Sequence, residues 1–213
     1  MTSLRGMYIH GTRIPCACFD SAAPEDSVAL SYLAAEAGAC LAAAHVPGPA
    51  PEGWIAVPRG YARPRPAPPE PLVPLTDAHH AAMRGLYGLF AGRFDGMLTR
   101  ENPAEWESRF SRLKSPLGLF EGDRLLLWLD ADGGNLLALS AAPDADERIP
   151  GALWSAEITR APAPLLGVLA EEWDEALKLR LIRPFPLPDG RIETADQLAC
   201  AMESTVQWDD EFT

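Results

Sequence analysis

The sequence predicts a mixed α+β protein in which several helices pack against a small antiparallel sheet, a meander, with a proline-rich surface connector. Three observations predict this class: a helix-start signal at Asn102-Pro103, a strand–turn–strand pattern over residues 124–140, and ten of the 21 prolines within residues 46–74. A chain of 213 residues is long enough for one full-sized domain. We therefore expect residues 1–213 to form a single α+β domain, with residues 46–74 connecting an N-terminal strand–helix segment to the main body.

The N-terminal segment shows strand and helix patterns in turn. We expect strands at Met7–His10 and Arg13–Phe19, the second either at a sheet edge or irregular because Pro15 cannot donate a ladder hydrogen bond. Apolar residues at helical spacing, many of them alanine, predict a helix over Val28–Ala44. The connector that follows is expected to be extended on the surface, with one short strand near Trp54–Val57.

The second half contains clearer local signals. Asn102 can cap a helix, and Pro103 suits the first helical position. The Glu105 side chain can accept a hydrogen bond from the backbone amide of the cap residue. Two apolar runs flank a turn rich in Asp and Gly, which predicts a hairpin. The expected elements are helices over residues 76–91, 102–114, 165–181 and 194–204, and strands over residues 124–129, 135–140 and 153–159.

Charge is distributed unevenly along the chain. The formal net charge is −12, yet residues 1–100 contain eight acidic and eight basic side chains, so the whole excess lies in residues 101–213. That half should repel nucleic acid and anionic membranes, and it should attract a basic protein and accelerate its encounter. The alternative interpretation is that the acids only keep the protein in solution.

Two segments combine an aromatic residue with several acids. Aromatic side chains ringed by charge are typical of tight protein interfaces. On the first segment, expected to be helical, we predict that Trp173 is a core residue and that its acids form a solvated outer face. The candidate partner-binding residues are Glu171, Glu172, Asp174, Glu175, Trp208, Asp209, Asp210 and Glu211.

No motif predicts a catalytic, cofactor or metal site. The sequence lacks the glycine-rich patterns of phosphate-binding loops. It also lacks the Gly-x-Ser-x-Gly pattern that holds the nucleophile of serine hydrolases. Ser111-Arg112-Leu113-Lys114 lacks the elements that should accompany a penicillin-recognising Ser-x-x-Lys, and Asp130–Asn135 departs from a calcium loop and fits a hairpin turn. His79 and His80 are adjacent on a helix and point in different directions, which makes them poor joint ligands.

The expected function follows from these exclusions. We expect an acidic binding protein that neutralises a basic partner, in the manner of a cytoplasmic immunity protein that inhibits a bacterial toxin such as a nuclease. The alternative is a small enzyme whose His/Cys or carboxylate site is assembled only by folding; a deep polar pocket at His10 or His79 would favour it. The first residues contain no apolar signal region and no apolar run could span a bilayer, so a cytoplasmic location is expected.

We predict that the four cysteines, Cys16, Cys18, Cys40 and Cys200, are reduced and metal-free. Their spacing fits neither a disulfide scaffold nor a closed zinc site, even with His10 and His45 included. Elemental analysis of the purified protein tests this, and stoichiometric zinc would contradict it.

Overall fold

The computed structural model describes residues 2–19, 27–45, 48–203 and 205–206, and it confirms the predicted α+β class. None of the described helices is long and apolar enough to cross a bilayer. The strands are β1 (Thr2–Ile9), β2 (Thr12–Phe19), β3 (Leu41–His45), β4 (Ile55–Ala62), β5 (Val73–Pro74), β6 (Leu117–Glu121), β7 (Arg124–Asp132), β8 (Asn135–Ala141), β9 (Ala161–Pro162), β10 (Glu172–Leu181), β11 (Phe185–Leu187) and β12 (Gly190–Ile192). The α-helices are α1 (Ser27–Glu36), α2 (His80–Ala91), α3 (Pro103–Phe110), α4 (Ile149–Ser155), α5 (Ala163–Leu166) and α6 (Ala195–Ala201).

The chain divides into two compact units. Unit 1 comprises Met1–Gly60, Gly92–Thr99 and Glu172–Thr213, and unit 2 comprises Tyr61–Ala91 and Arg100–Glu171. Each unit has its own sheet and its own hydrophobic core. That residues 1–213 fold as a single domain stays a prediction.

The sheet of unit 1 contains a parallel pair. Its strand order is β1-β2-β3-β10-β4; β1 is antiparallel to β2, and β10 is antiparallel to β3. Between them β2 and β3 run parallel, from the pair Cys16 and Leu41 to the pair Phe19 and Ala44, and α1 lies between them in the chain. Because the two strands are parallel, their carboxyl ends meet at one edge of the sheet, which is where ligands bind in sheets with such crossovers.

The two faces of this sheet differ in the size of their side chains. One face packs small residues against α1, including Ala17, Ala42 and Ala44 against Ala34 of the helix. The other face holds larger residues, among them Met7, which packs with the buried leucines of β10 and with α6. Small residues permit the close approach of a helix to a sheet. Alanines therefore line the contact between α1 and this face of the sheet.

The predicted helix Val28–Ala44 is wrong in its second half. The helix ends at Glu36, and Gly38 has a φ of +77°, which favours glycine and lets the chain leave the helix. The amide of Ala39 donates to the carbonyl of Ala34 at 3.0 Å and closes the end. The alanine run that follows is buried and forms β3.

Two expectations about proline are also corrected. The strand with Pro15 is internal, because β2 lies between β1 and β3, and the Pro15 carbonyl still accepts from the Cys40 amide at 2.8 Å. The strand expected near Trp54–Val57 is longer than predicted, since β4 runs on to Ala62 through Pro58. A proline removes one donor, and the rest of the strand pairs normally.

Unit 2 is built on the antiparallel sheet β5-β6-β7-β8. The predicted hairpin is confirmed as β7 and β8, joined by a turn at Gly133-Gly134. The predicted helices over residues 76–91 and from Pro103 are confirmed, and Asn102 Oδ1 accepts from the Ala104 amide at 3.0 Å as an N-cap.

Two further elements differ from the prediction. Residues 153–159, expected as a strand, overlap α4, in which Ile149, Ala152 and Leu153 lie at helical spacing and are all buried. Residues 165–181, expected as a helix, contain only the short α5 and then β10. β10 pairs with β3 from Leu177 opposite His45 to Leu181 opposite Leu41, so the segment is a strand, and it buries Leu177 and Leu179.

The proline-rich residues of unit 2 pack against α4. Arg148 binds Glu70 through two hydrogen bonds, at 3.0 and 2.5 Å, and Ser155 Oγ accepts from the Glu70 amide at 2.7 Å. A Cβ at Gly151 would lie 2.4 Å from the carbonyl oxygen of Pro68. This part of the connector is therefore held in the fold.

We predict that Gly151→Ala lowers the free energy of unfolding by about 1–3 kcal/mol, because backbone atoms of the proline-rich segment must move to admit the methyl group. The control is Gly88→Ala on α2, where nothing lies within 4 Å of an added Cβ and alanine should stabilise the helix by about 0.5–1 kcal/mol. Urea unfolding measures both. Equal stability of the two variants would contradict close packing at Gly151.

Candidate functional site

Three polar side chains of unit 1 meet where β3 ends. His45 is the last residue of β3, Arg59 lies on β4, and Asp174 lies near the start of β10. Since β10 runs antiparallel to β3, its first residues lie beside the carboxyl end of β3. The three residues, here called the Arg59 cluster, therefore occupy the edge at which the parallel pair ends.

The guanidinium of Arg59 is the centre of the cluster. Its side chain is 2% exposed, its Nη2 forms a short ion pair with Asp174 Oδ2, and the same atom lies 3.1 Å from His45 Nε2. A buried cation is costly unless a carboxylate pairs with it. Asp174 is 31% exposed, so it both neutralises Arg59 and reaches solvent.

The contact with Arg59 defines the state of the His45 ring. A guanidinium can only donate hydrogen bonds, so His45 Nε2 must accept. A ring whose Nε2 accepts is neutral and carries its proton on Nδ1. The cluster thus presents one carboxylate and one neutral imidazole, both held by the same buried cation.

The structure separates the residues predicted to bind a partner. Glu171 and Glu172 are exposed, whereas Asp174 belongs to the Arg59 cluster. The side chain of Glu175 lies outside the described residues, as do Trp208, Asp209, Asp210 and Glu211. That a basic protein binds any of these acids stays a prediction.

The helix expected around Trp173 is absent, and its predicted orientation is wrong. Trp173 lies on β10 and is 62% exposed, so it is not a core residue. The pairing of Leu177 with His45 and of Leu179 with Ala43 gives the register of this strand. The acids beside Trp173 therefore do not form one face of a helix.

Sequence reasoning missed Arg59 and considered His45 only as a possible zinc ligand. Arg59 lay in the proline-rich connector, and His45 directly follows the helix expected over Val28–Ala44. Burial along β4 does not alternate strictly, since Gly60, Tyr61 and Ala62 are all buried, so a period of two was no guide. The partner of Arg59 also lies 115 residues further along the chain.

The other titratable candidates from the sequence analysis make structural contacts. His79 Nδ1 accepts from the Thr76 amide at 3.0 Å, and His80 stacks on Phe110 with ring centroids 3.7 Å apart. Burial raises the pKa of the Cys16 thiol, and neighbouring Cys18 adds to the rise, which makes Cys16 a poor nucleophile. Within the described ranges no group of three His, Cys, Asp or Glu residues is placed to hold a metal ion.

The fold is shared with solved transferase structures. It matches a GCN5-related N-acetyltransferase from Anabaena variabilis with a TM-score of 0.58 at 16% identity, covering 88% of this chain and 62% of that one. Eis1 from Mycobacterium abscessus matches with a TM-score of 0.55 at 14% identity, over 85% of this chain and 60% of that one. A GCN5-related N-acetyltransferase from Kribbella flavida matches with a TM-score of 0.53 at 16% identity, over 85% and 57% respectively.

These similarities show the fold. The chain spans about three fifths of the length of these structures. No protein-family model matches the sequence. No curated protein matches it.

The expectation of an immunity-type inhibitor that neutralises a toxin is wrong. The fold is one that acetyltransferases adopt, and this favours the alternative expectation of a small enzyme with a spatially assembled site. Folding brings the three residues of the Arg59 cluster together from three strands, with contacts that span 14 and 115 residues of sequence.

We predict that Asp174→Ala destabilises the protein by about 2 kcal/mol, because it leaves the buried Arg59 cation without its carboxylate. Asp174→Asn keeps the shape and one acceptor oxygen, so it should cost less. Urea unfolding compares the two with Asp144→Ala, which removes an exposed ion pair with Arg124 and should cost under about 1 kcal/mol. Equal losses of unfolding free energy in Asp174→Ala and Asp144→Ala would contradict the argument that a buried cation depends more on its carboxylate than an exposed one does.

Proposed function

We propose that this protein is an enzyme that transfers an acyl group from a thioester donor to an amine. The observation that carries the proposal is the Arg59 cluster at the carboxyl end of the parallel strands β2 and β3. The similarity to N-acetyltransferases in fold supports the reaction class, and fold alone does not define a function.

The reaction needs few groups from the protein. The amine nitrogen attacks the thioester carbonyl, the C–S bond breaks, and the products are an amide and a free thiol. The amine gives up one proton, which ends on the departing thiolate. Asp174 is the partly exposed acceptor of the cluster, so it would hold the N–H of the amine, accept that proton as a general base and then release it to the thiolate, which leaves Asp174 ionised again.

Arg59 is a positioning residue in this scheme. It is buried and touches both Asp174 and His45, so it fixes the carboxylate and does not itself reach solvent. A carboxylate held in one orientation loses little entropy when the amine binds.

The sequence between β2 and α1 does not suit a phosphate-bearing donor. Residues 20–26 lie outside the described residues, and their sequence, Asp20-Ser21-Ala22-Ala23-Pro24-Glu25-Asp26, contains three acids, no base and no glycine. Turns that cradle phosphates present glycines and often a lysine. Recognition of the donor is therefore proposed to rest on its acyl thioester end.

We also propose that the protein acts in the cytoplasm. Its four cysteines are free thiols, three of them buried, as is usual where the environment is reducing. The buried thiols lie within the cores of unit 1.

The activity is tested by incubating the protein with acetyl-coenzyme A and a panel of primary amines, with amides detected by mass spectrometry. We predict that Asp174→Asn lowers kcat/KM by about 10²–10⁴-fold, the usual contribution of a general base. Asp144→Asn makes the same chemical change at an exposed pair and should leave kcat/KM unchanged.

The donor preference is tested with the acetyl thioester of N-acetylcysteamine, which lacks the nucleotide. Its kcat/KM should lie within about tenfold of that of acetyl-coenzyme A, since a nucleotide held by the protein would be worth more than about 1.4 kcal/mol. Absence of amide with both donors, or full activity in Asp174→Asn, would contradict the proposed function.

A further inference from the structure

Unit 1 contains a cavity of about 430 Å³ at the opposite edge of its sheet from the Arg59 cluster. It lies at the turn between β1 and β2, and therefore at the amino end of β2, whereas His45 lies at the carboxyl end of its parallel neighbour. The walls include His10, Leu187, Asp189, Ile192, Asp196 and Cys200. These come from the β1–β2 turn, the β11–β12 hairpin and α6.

The position of His10 is fixed from two sides. Both His10 and Gly11 have positive φ, as a two-residue hairpin turn requires. The His10 amide donates to Asp95 Oδ1 at 2.6 Å, and burial raises the pKa of Asp95 although this hydrogen bond opposes the rise. The ring Nδ1 lies 3.3 Å from Asp189 Oδ2. The imidazole is thus held at the cavity wall.

The cavity combines an apolar wall with negative charge. Leu187, Ile192 and Ala201 supply apolar surface, and Asp189 and Asp196 supply two carboxylates. Arg191 also lines the space, but its guanidinium Nε lies 3.3 Å from a Glu193 carboxylate. The charge that faces a ligand is therefore predominantly negative.

Another polar side chain near the cavity already forms hydrogen bonds within the protein. Gln197 Oε1 accepts from the amides of Glu193 and Thr194, at 2.7 and 3.1 Å, and closes the capping box of α6. This leaves His10 and the two aspartates as the polar groups suited to orient a ligand. Pockets of this size with apolar walls and a few converging polar groups are typical small-molecule sites.

We propose that this cavity binds a small organic cation, an ammonium group on an apolar body. Its volume of about 430 Å³ corresponds to about fourteen waters at about 30 Å³ each, so it has room for such a ligand. The ammonium would meet Asp189 and Asp196, and the apolar body would cover Leu187 and Ile192. The site is separate from the Arg59 cluster and does not depend on acyl transfer.

The test uses hexylamine and hexanoate, which share an apolar chain and differ in the sign of their charge. Bound ligand stabilises the folded state by RT ln(1 + [L]/Kd), so Tm rises with the logarithm of ligand concentration above Kd. We expect hexylamine to raise Tm in this way and hexanoate to leave it unchanged. Asp189→Asn should increase the hexylamine concentration needed for a given rise in Tm by at least tenfold, and Asp144→Asn should not alter it.

Cys200 provides a second readout of the same cavity. It is the exposed cysteine among the four, all of which lie in the described residues, so a neutral maleimide should label it first. Protein labelled at Cys200 should lose the Tm response to hexylamine, because the adduct fills the cavity.

An equal rise in Tm with hexanoate would show that the protein binds the apolar chain of the ligand whatever its charge, and it would overturn the proposal. A response that survives both labelling of Cys200 and Asp189→Asn would place hexylamine elsewhere and would also overturn it. Circular dichroism of the variant and of the labelled protein confirms that each is folded. None of these outcomes depends on whether the protein transfers acyl groups.

Discussion

The sheet of unit 1 depends on how the buried cation of Arg59 is neutralised. Burying a guanidinium without a partner costs several kcal/mol, about as much as the whole stability of many domains. Asp174 supplies the opposite charge from β10, and His45 accepts from β3. Any arrangement that separated these strands would break the ion pair between Arg59 and Asp174. The ion pair therefore helps to specify that β10 lies between β3 and β4.

Small side chains form the second constraint. The parallel pairing of β2 and β3 needs a crossover that packs back on the sheet, and α1 does so against alanines of both strands. Larger residues at Ala42 or Ala44 would push the helix away. The same alanines favour a helix when they are considered alone, so local propensity and tertiary packing oppose each other over β3.

This conflict explains which parts of the fold the sequence could predict. Signals that act within a few residues were interpreted correctly: the Asn102 cap and the β7–β8 turn. Segments whose structure depends on distant partners were not, as at residues 165–181, where burial of Leu177 and Leu179 outweighs helix propensity. The Arg59 cluster belongs to the second kind, since its contacts span 14 and 115 residues.

Net charge was a poor guide to function for a related reason. Composition counts every acidic residue equally, whereas individual acidic residues make different interactions in the structure. Asp130 accepts from the amides of Lys114 and Ser115, Asp144 pairs with Arg124, and Asp174 pairs with Arg59. An acid that neutralises a buried cation and still reaches solvent can also hold an amine. A surplus of acids is therefore compatible with a site for a small basic substrate, without any protein partner.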